Sequence, residues 1–135
     1  MTTIELRRLA LADLLEIEEI ERRSYPTPWS RSMFAGELAK PSSICLGAFE
    51  AEGEDGALVG YLIVSRYVDA WHVMNVAVDP DLRRRGVATA LLDRLFELTR
   101  GDERRGGLVA GRLDAEDQTE TGSFHMMSAS SRLSV

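Results

Sequence analysis

The sequence predicts one α/β domain, a mixed central sheet flanked by helices, with elements in the order β-α-α-β-β-β-α. Three observations lead there. Apolar residues alternate along some short runs and recur at helical spacing along others, so the chain switches between a period of two and one of 3.6. Clusters of proline, glycine and aspartate separate those runs. The length, 135 residues, gives room for one domain and one core.

Residues 3–8 alternate, with Ile4 and Leu6 on one face, and read as a first strand. Over 11–23 the period becomes helical. Leu14, Ile17 and Ile20 share one side, and Glu16, Glu18, Glu19 and Glu21 read as a solvated face. Two prolines in Tyr25-Pro26-Thr27-Pro28-Trp29 exclude any continuation of that helix. Ser30 is placed to cap a second helix through residue 38, with Phe34 and Leu38 turned inward and Pro41 ending it. Residues 43–50 form a second strand. Its Cys45 lies in an apolar run and reads as a packed thiol, and a lone cysteine excludes an internal disulfide and fits a reducing cytoplasm. Glu50, Glu52, Glu54 and Asp55 belong to a polar hairpin turn that leads into a third strand over 57–67. Asp69-Ala70 turns the chain into a fourth strand, 71–78, on which His72 beside Trp71 reads as a half-exposed strand residue.

The next stretch carries the chemistry. After the apolar run 74–78 comes the turn Asp79-Pro80-Asp81, then Arg83-Arg84-Arg85-Gly86-Val87-Ala88. From there Val87, Leu91, Leu92, Leu95 and Phe96 recur at helical spacing. A helix opening at this point leaves its first N–H groups unpaired, with the positive end of its dipole behind them. Gly86 and Ala88 are small enough for a phosphate to approach the main chain, and the arginines add charge. The whole reads as an anion cradle, most simply for a pyrophosphate. No G-x-x-x-x-G-K-[ST] string and no G-x-G-x-x-G after a first strand occurs, so nucleotide-hydrolase and Rossmann readings drop out.

This segment resembles motif A of the GNAT acetyltransferases, R/Q-x-x-G-x-G/A, with Arg83, Arg85, Gly86 and Ala88 at or beside the defining positions. The element order matches that family up to its third helix, which implies a mostly antiparallel sheet. Pro28-Trp29-Ser30, at the end of residues 25–30, is similar to the [FY]-P-W-S loop of the bacterial ribosomal-protein-alanine N-acetyltransferases; the same residues also fit a proline-rich turn with Trp29 packed on the core. Val76-Ala77-Val78-Asp79-Pro80-Asp81 is similar to the end of their fourth strand. The resemblance implies acetyl-CoA as cosubstrate and a protein or peptide N-terminus as acceptor, a ribosomal protein among them. It further implies that the backbone of Val76, Ala77 and Val78 pairs with the pantetheine arm. Arg84, Arg85, Gly86, Val87, Ala88 and Thr89 would then line the pyrophosphate, and Tyr25, Pro28 and Trp29 would belong to the acceptor loop.

Acetyl transfer needs a neutral amine and an acid for the leaving thiolate. In the family these come from a Glu in an L-E-V-R-like fifth strand and a Tyr in the next helix. Neither string occurs after Arg105, and no tyrosine occurs after Tyr67. The domain therefore reads as residues 1–105, with 106–135 a divergent tail in which the last strands are missing or replaced. Two accounts of the tail stand. A frameshift near Gly106-Gly107 fits a GC-rich gene, which 15 arginines against the single Lys40 suggest. Alternatively, residues 108–113 still form a fifth strand and Asp114 or Glu116 serves as base. Residues 118–135 are polar and without period, and His125 there reads as solvated. Losing the last strands would leave an edge of strand four uncovered and open to self-association. If no group in the tail replaces the missing pair, the chain is a catalytically silent remnant that at most binds acyl-CoA.

Other classes are disfavoured. A net charge of −6 opposes nucleic acid as a partner, and Arg83–85 and Arg104-Arg105 lack interleaved aromatics. No run approaches the roughly 20 apolar residues of a membrane span, and the acidic amphipathic N-terminus is unlike a signal peptide. No His/Cys/carboxylate cluster has metal spacing, so no metal is expected.

Overall fold

The computed structural model describes residues 3–51, 56–67 and 70–99, and the backbone of 132–134. Its elements are β1 (Ile4–Arg8), α1 (Leu14–Ser24), α2 (Arg31–Ala39), β2 (Ser43–Glu50), β3 (Leu58–Tyr67), β4 (Ala70–Val78), α3 (Val87–Thr99) and β5 (Arg132–Ser134). The sheet order is β1-β2-β3-β4-β5; the first four strands pair antiparallel with their neighbours, and β5 lies parallel to β4. The order read from the sequence is the order found as far as the third helix.

Three layers result. One sheet face carries Ile44, Leu46, Leu62, Val64, Val73, Val76 and Val78 against Val87, Leu91 and Leu95 of α3. The other carries Cys45, Phe49, Tyr61, Ile63 and Ala77 against Ile17 and Ile20 of α1 and Phe34 of α2. β2 is buried on both faces, which is why its sequence runs apolar without strict alternation. Gly60 on β3 permits the close seating of α3: a Cβ there would stand 3.0 Å from Val87 Cγ1 and 3.1 Å from the Ala77 carbonyl oxygen. Ser30 caps α2 as the sequence implies, its hydroxyl accepting from the Met33 N–H.

The first helix begins later than its period suggests, because residues 11–13 wind into a 3-10 turn instead. Asp13 accounts for it. Its carboxylate accepts the Ala10 N–H at 2.8 Å and receives Arg7 through both guanidinium Nη atoms, at 3.0 and 3.1 Å. Burial alone would raise the Asp13 pKa, but Arg7 and the Ala10 N–H outweigh it and hold the carboxyl below its ordinary 3.8. A carboxylate with a depressed folded pKa stabilises the fold above its unfolded value, and that contribution fades as pH falls through the folded one. Asp13→Asn should therefore cost about 1 kcal/mol at neutral pH, the scale of a lost helix-start cap. The gap to wild type should close below about pH 4, as chemical denaturation across pH 2–7 would report.

Two expectations need correction. The outer edge of β4 is not open along its whole length. The backbone of Arg132, Leu133 and Ser134 pairs with Asn75, Val76 and Ala77, and three residues are too few to leave a periodic signal in sequence. Glu21 is not solvated but fully buried, whereas Glu16 and Glu19 are exposed and Glu18 partly so. Residues 108–113, Asp114, Glu116, His125 and Arg104-Arg105 lie outside the described residues.

Candidate acyl-CoA and acceptor site

β4 sets the geometry. Its register against β3 shifts by one, with Ile63 opposite Asn75 and Val64 opposite Val73, so Met74 is an extra residue in the ladder. A bulge bends its strand and re-aims the residues beyond it, here Asn75, Val76, Ala77 and Val78. The carbonyl of Val76 accepts the Tyr25 hydroxyl at 2.6 Å, and that of Val78 accepts Arg83 Nε at 3.3 Å. Tyr25 thus ties the loop over residues 25–30 to the strand.

Beyond β4 the chain makes a tight 3-10 turn over Pro80–Leu82, opened by Asp79, whose side chain accepts the Asp81 N–H. Then two residues take left-handed backbone: Arg84 at φ 67° and Gly86 at φ 83°. A left-handed arginine costs roughly 1–2 kcal/mol, whereas glycine adopts that region freely. Left-handed residues placed beside right-handed ones are one way in which a backbone builds a concavity for anions. Val87, the first residue of α3, is buried against the sheet, while Arg84, Arg85, Gly86 and Thr89 are exposed and Ala88 partly so. The first N–H groups of α3 have no intrahelical acceptors. The space beside Gly86 is open, since a Cβ there would meet nothing within 4 Å. Left-handed backbone, open space at Gly86 and the start of α3 thus fall together at the residues read from sequence as a cradle.

The three arginines divide their work. Arg83 turns back onto the fold, donating to Val78 and, at 3.4 Å, to Ser24 Oγ; Arg84 and Arg85 remain to face solvent. On the other side Arg23 of α1 reaches Asp79 and Asp81 at 3.2 and 2.9 Å. These contacts join the end of α1, and with it the loop after that helix, to the turn that leads into the cradle.

Within the loop Pro28 is exposed. The Trp29 ring is partly buried and packs on Phe34, with centroids 5.2 Å apart and planes at 52°. Trp29 thus packs on α2 and keeps part of its surface open. Its backbone N–H donates at 2.7 Å to Glu21 Oε2, while Glu21 Oε1 accepts the Tyr61 hydroxyl at 2.5 Å and Asn75 Nδ2 at 2.8 Å. Sequence reasoning missed this residue, although Glu21 comes after Leu14 and Ile17 at intervals of seven and four, on the apolar stripe of α1.

The remaining candidates behave as structural residues. His72 is half-buried on β4. Burial, then the neighbouring Glu37 charge, push the Cys45 thiol up to about 12, and its Sγ lies 3.7 Å from the Glu37 carbonyl oxygen. A thiol so rarely ionised is a poor nucleophile. Native protein at pH 8 should react with a thiol-directed disulfide reagent at least a hundredfold more slowly than protein in denaturant, as a stopped-time absorbance assay would show. Among the described residues no group of three His, Cys, Asp or Glu side chains is placed to hold a metal ion, and no helix is long and apolar enough to cross a membrane.

Comparison with known proteins identifies the family of this fold. A family model described as the acetyltransferase (GNAT) family matches residues 14–113, most of the chain. The chain belongs to that family. Over 98 residues it is 32% identical to the [ribosomal protein bS18]-alanine N-acetyltransferase of Salmonella typhimurium, covering 72% of this chain and 61% of the relative. It is 31% identical to the N-alpha-acetyltransferase RimI of Mycobacterium tuberculosis, covering 73% of this chain and 63% of that one. The crystal structure of the ribosomal-protein-S18-alanine N-acetyltransferase from Escherichia coli superposes with a TM-score of 0.62 at 28% identity, over 77% of this chain and 62% of that one. Arabidopsis thaliana NAA60 in complex with acetyl-CoA shares the fold, with a TM-score of 0.63 at 21% identity, over 73% of this chain and 69% of that one. This chain thus spans less than two thirds of the length of these three bacterial proteins.

Proposed function

We propose that the chain is an acetyl-CoA-dependent N-acetyltransferase acting on a protein N-terminal amine, of the ribosomal-protein-alanine type, in a reducing cytoplasmic setting. The observation that carries it is the pair of left-handed residues, Arg84 and Gly86, directly before the free N-terminus of α3. Strained backbone held at that place is a shape made for an anion. The backbone of Val87, Ala88 and Thr89 would donate to the pyrophosphate, with Arg84 and Arg85 adding charge at the rim. By the family resemblance, the pantetheine arm runs along Val76, Ala77 and Val78. β5 already pairs with that edge at Asn75, Val76 and Ala77, so of the three residues Val78 alone keeps its edge for the arm. Tyr25, Pro28 and Trp29 form the wall on which an extended peptide would lie. We assign residues 1–105 to this domain and 106–135 to the divergent tail; the base is Asp114 or Glu116 only if residues 108–113 form the fifth strand.

The absence of the L-E-V-R-like string and of any tyrosine after Tyr67 favours a second reading, a chain that holds acyl-CoA without turnover. Calorimetric titration with acetyl-CoA, paired with thiol release on a peptide beginning with alanine, separates the two. Binding with turnover supports the enzyme and binding alone the silent reading. No binding overturns both.

A further inference from the structure

Glu21 is a fully buried carboxylate in the last turn of α1, where the negative end of the helix dipole opposes it. Burying a carboxylate there is costly unless donors surround it. They do, and each comes from a different part of the site. Trp29 N–H belongs to the candidate acceptor loop, Tyr61 to β3, and Asn75 to β4, on the strand whose end at Val78 is assigned to the thioester arm. A tie that served packing alone could be made by apolar side chains at lower cost. The Glu21 carboxyl instead fixes direction, because its two oxygens take donors from set sides: Asn75 presents Nδ2 to one and the Trp29 N–H points inward to the other.

We infer that Glu21 is a positioning residue for acceptor binding: it holds the loop at Trp29 in fixed register with β4 at Asn75, so that the peptide wall and the thioester strand keep one spacing. The role rests on the acetyltransferase reading above. Tyr25, donating to the Val76 carbonyl from the other end of the loop, is the second tie of the same pair of elements. Arg23 and Arg83 hold the turn before the cradle independently of Glu21, so acetyl-CoA affinity should not depend on it.

Four variants of the full chain test this: Glu21→Met, Glu21→Gln, Tyr61→Phe and the double variant Glu21→Met/Tyr61→Phe. Each is read by melting temperature, acetyl-CoA Kd, and KM and kcat on an alanine-starting peptide. The Glu21→Met variant should raise peptide KM at least tenfold and leave the acetyl-CoA Kd within twofold of wild type. Tyr61→Phe should lower the melting temperature and leave peptide KM near wild type. The double variant also removes the Tyr61 hydroxyl that has lost Glu21 and should recover part of the melting temperature without recovering KM. A merely structural loss lowers the folded fraction and hence kcat, and leaves KM alone. If Glu21→Met does not fold, Glu21→Gln and the double variant carry the test; a peptide KM within twofold of wild type in both overturns the inference. So does a peptide KM in the double variant that recovers with its stability. Wild-type chain without turnover on the peptide overturns the enzyme reading and the role of Glu21 with it, whereas active wild type with unchanged variants overturns only the role of Glu21.

Discussion

Gly86→Val should raise the acetyl-CoA dissociation constant by about ten- to a hundredfold, while the melting temperature falls by only a few degrees. Two effects add. A β-branched residue at φ 83° costs roughly 1–2 kcal/mol, and each 1.4 kcal/mol is tenfold in affinity if the loop relieves that strain by abandoning its bound shape. The valine side chain would also enter space that the fold leaves empty. Because nothing of the protein lies within 4 Å of that position, no internal clash drives unfolding, and the loss should appear in ligand binding rather than in stability. Gly86→Asn separates the two effects, since asparagine tolerates left-handed backbone but still fills the space. An asparagine variant close to wild type would assign the loss to backbone shape, and one as weak as valine would assign it to the space itself. Calorimetry showing affinity within twofold of wild type for Gly86→Val would remove the cradle from the assignment.

The turn and helix start at α3 were legible in sequence because each of their signals is local. A glycine before an apolar helical period, a DPD turn and a run of arginines all act through backbone rules that hold within ten residues of chain. β2 was legible for a similar reason, its apolar run bounded by Pro41 and an acidic turn. The features that stayed hidden depend on partners distant in the chain. Glu21 sits among three other glutamates on one helix, and only its donors, 8, 40 and 54 residues away, distinguish it from them. The heptad spacing from Leu14 was a usable sign, because an acidic residue on an apolar stripe must find donors or leave it. The bulge at Met74 has no side-chain signature and arises from pairing alone. Arg83 was read as part of a basic rim, yet its guanidinium serves the junction between α1 and β4.

Those contacts give the two halves of the site different attachments. The acceptor loop hangs from Glu21 and Tyr25, both tied to β4. The cradle hangs from α3 and from the ion pairs of Arg23. Arg23 and both its partners are at least partly exposed, so each pair is worth little in isolation. The buried Glu21 cluster is the stiffer of the two attachments. Loop geometry should therefore be the less sensitive to salt, and the turn before the cradle the more so.

Phe34→Ala should be the most destabilising single change in the acceptor half, at about 3–5 kcal/mol. Phe34 is fully buried on α2, with Trp29 on one side at 5.2 Å and Tyr61 edge-on at 5.8 Å. Truncation removes a ring that three elements share, and neither neighbour can collapse into the gap freely. Trp29 is held through its N–H by Glu21, and Tyr61 through its hydroxyl by the same carboxylate. Because the site cannot close, the cavity penalty should be kept almost whole, a fall of about 10–20 °C in melting temperature for a domain of this size. Phe34→Leu keeps most of the volume and should cost under about 1.5 kcal/mol. The pair also separates packing from positioning. In Phe34→Leu the Trp29 ring loses its aromatic platform while its backbone tie to Glu21 persists, so peptide KM should stay within about threefold of wild type, a change of under about 1 kcal/mol. A larger rise in KM at nearly unchanged stability would mean that the Trp29 ring, rather than the backbone of its loop, sets the spacing between peptide and thioester.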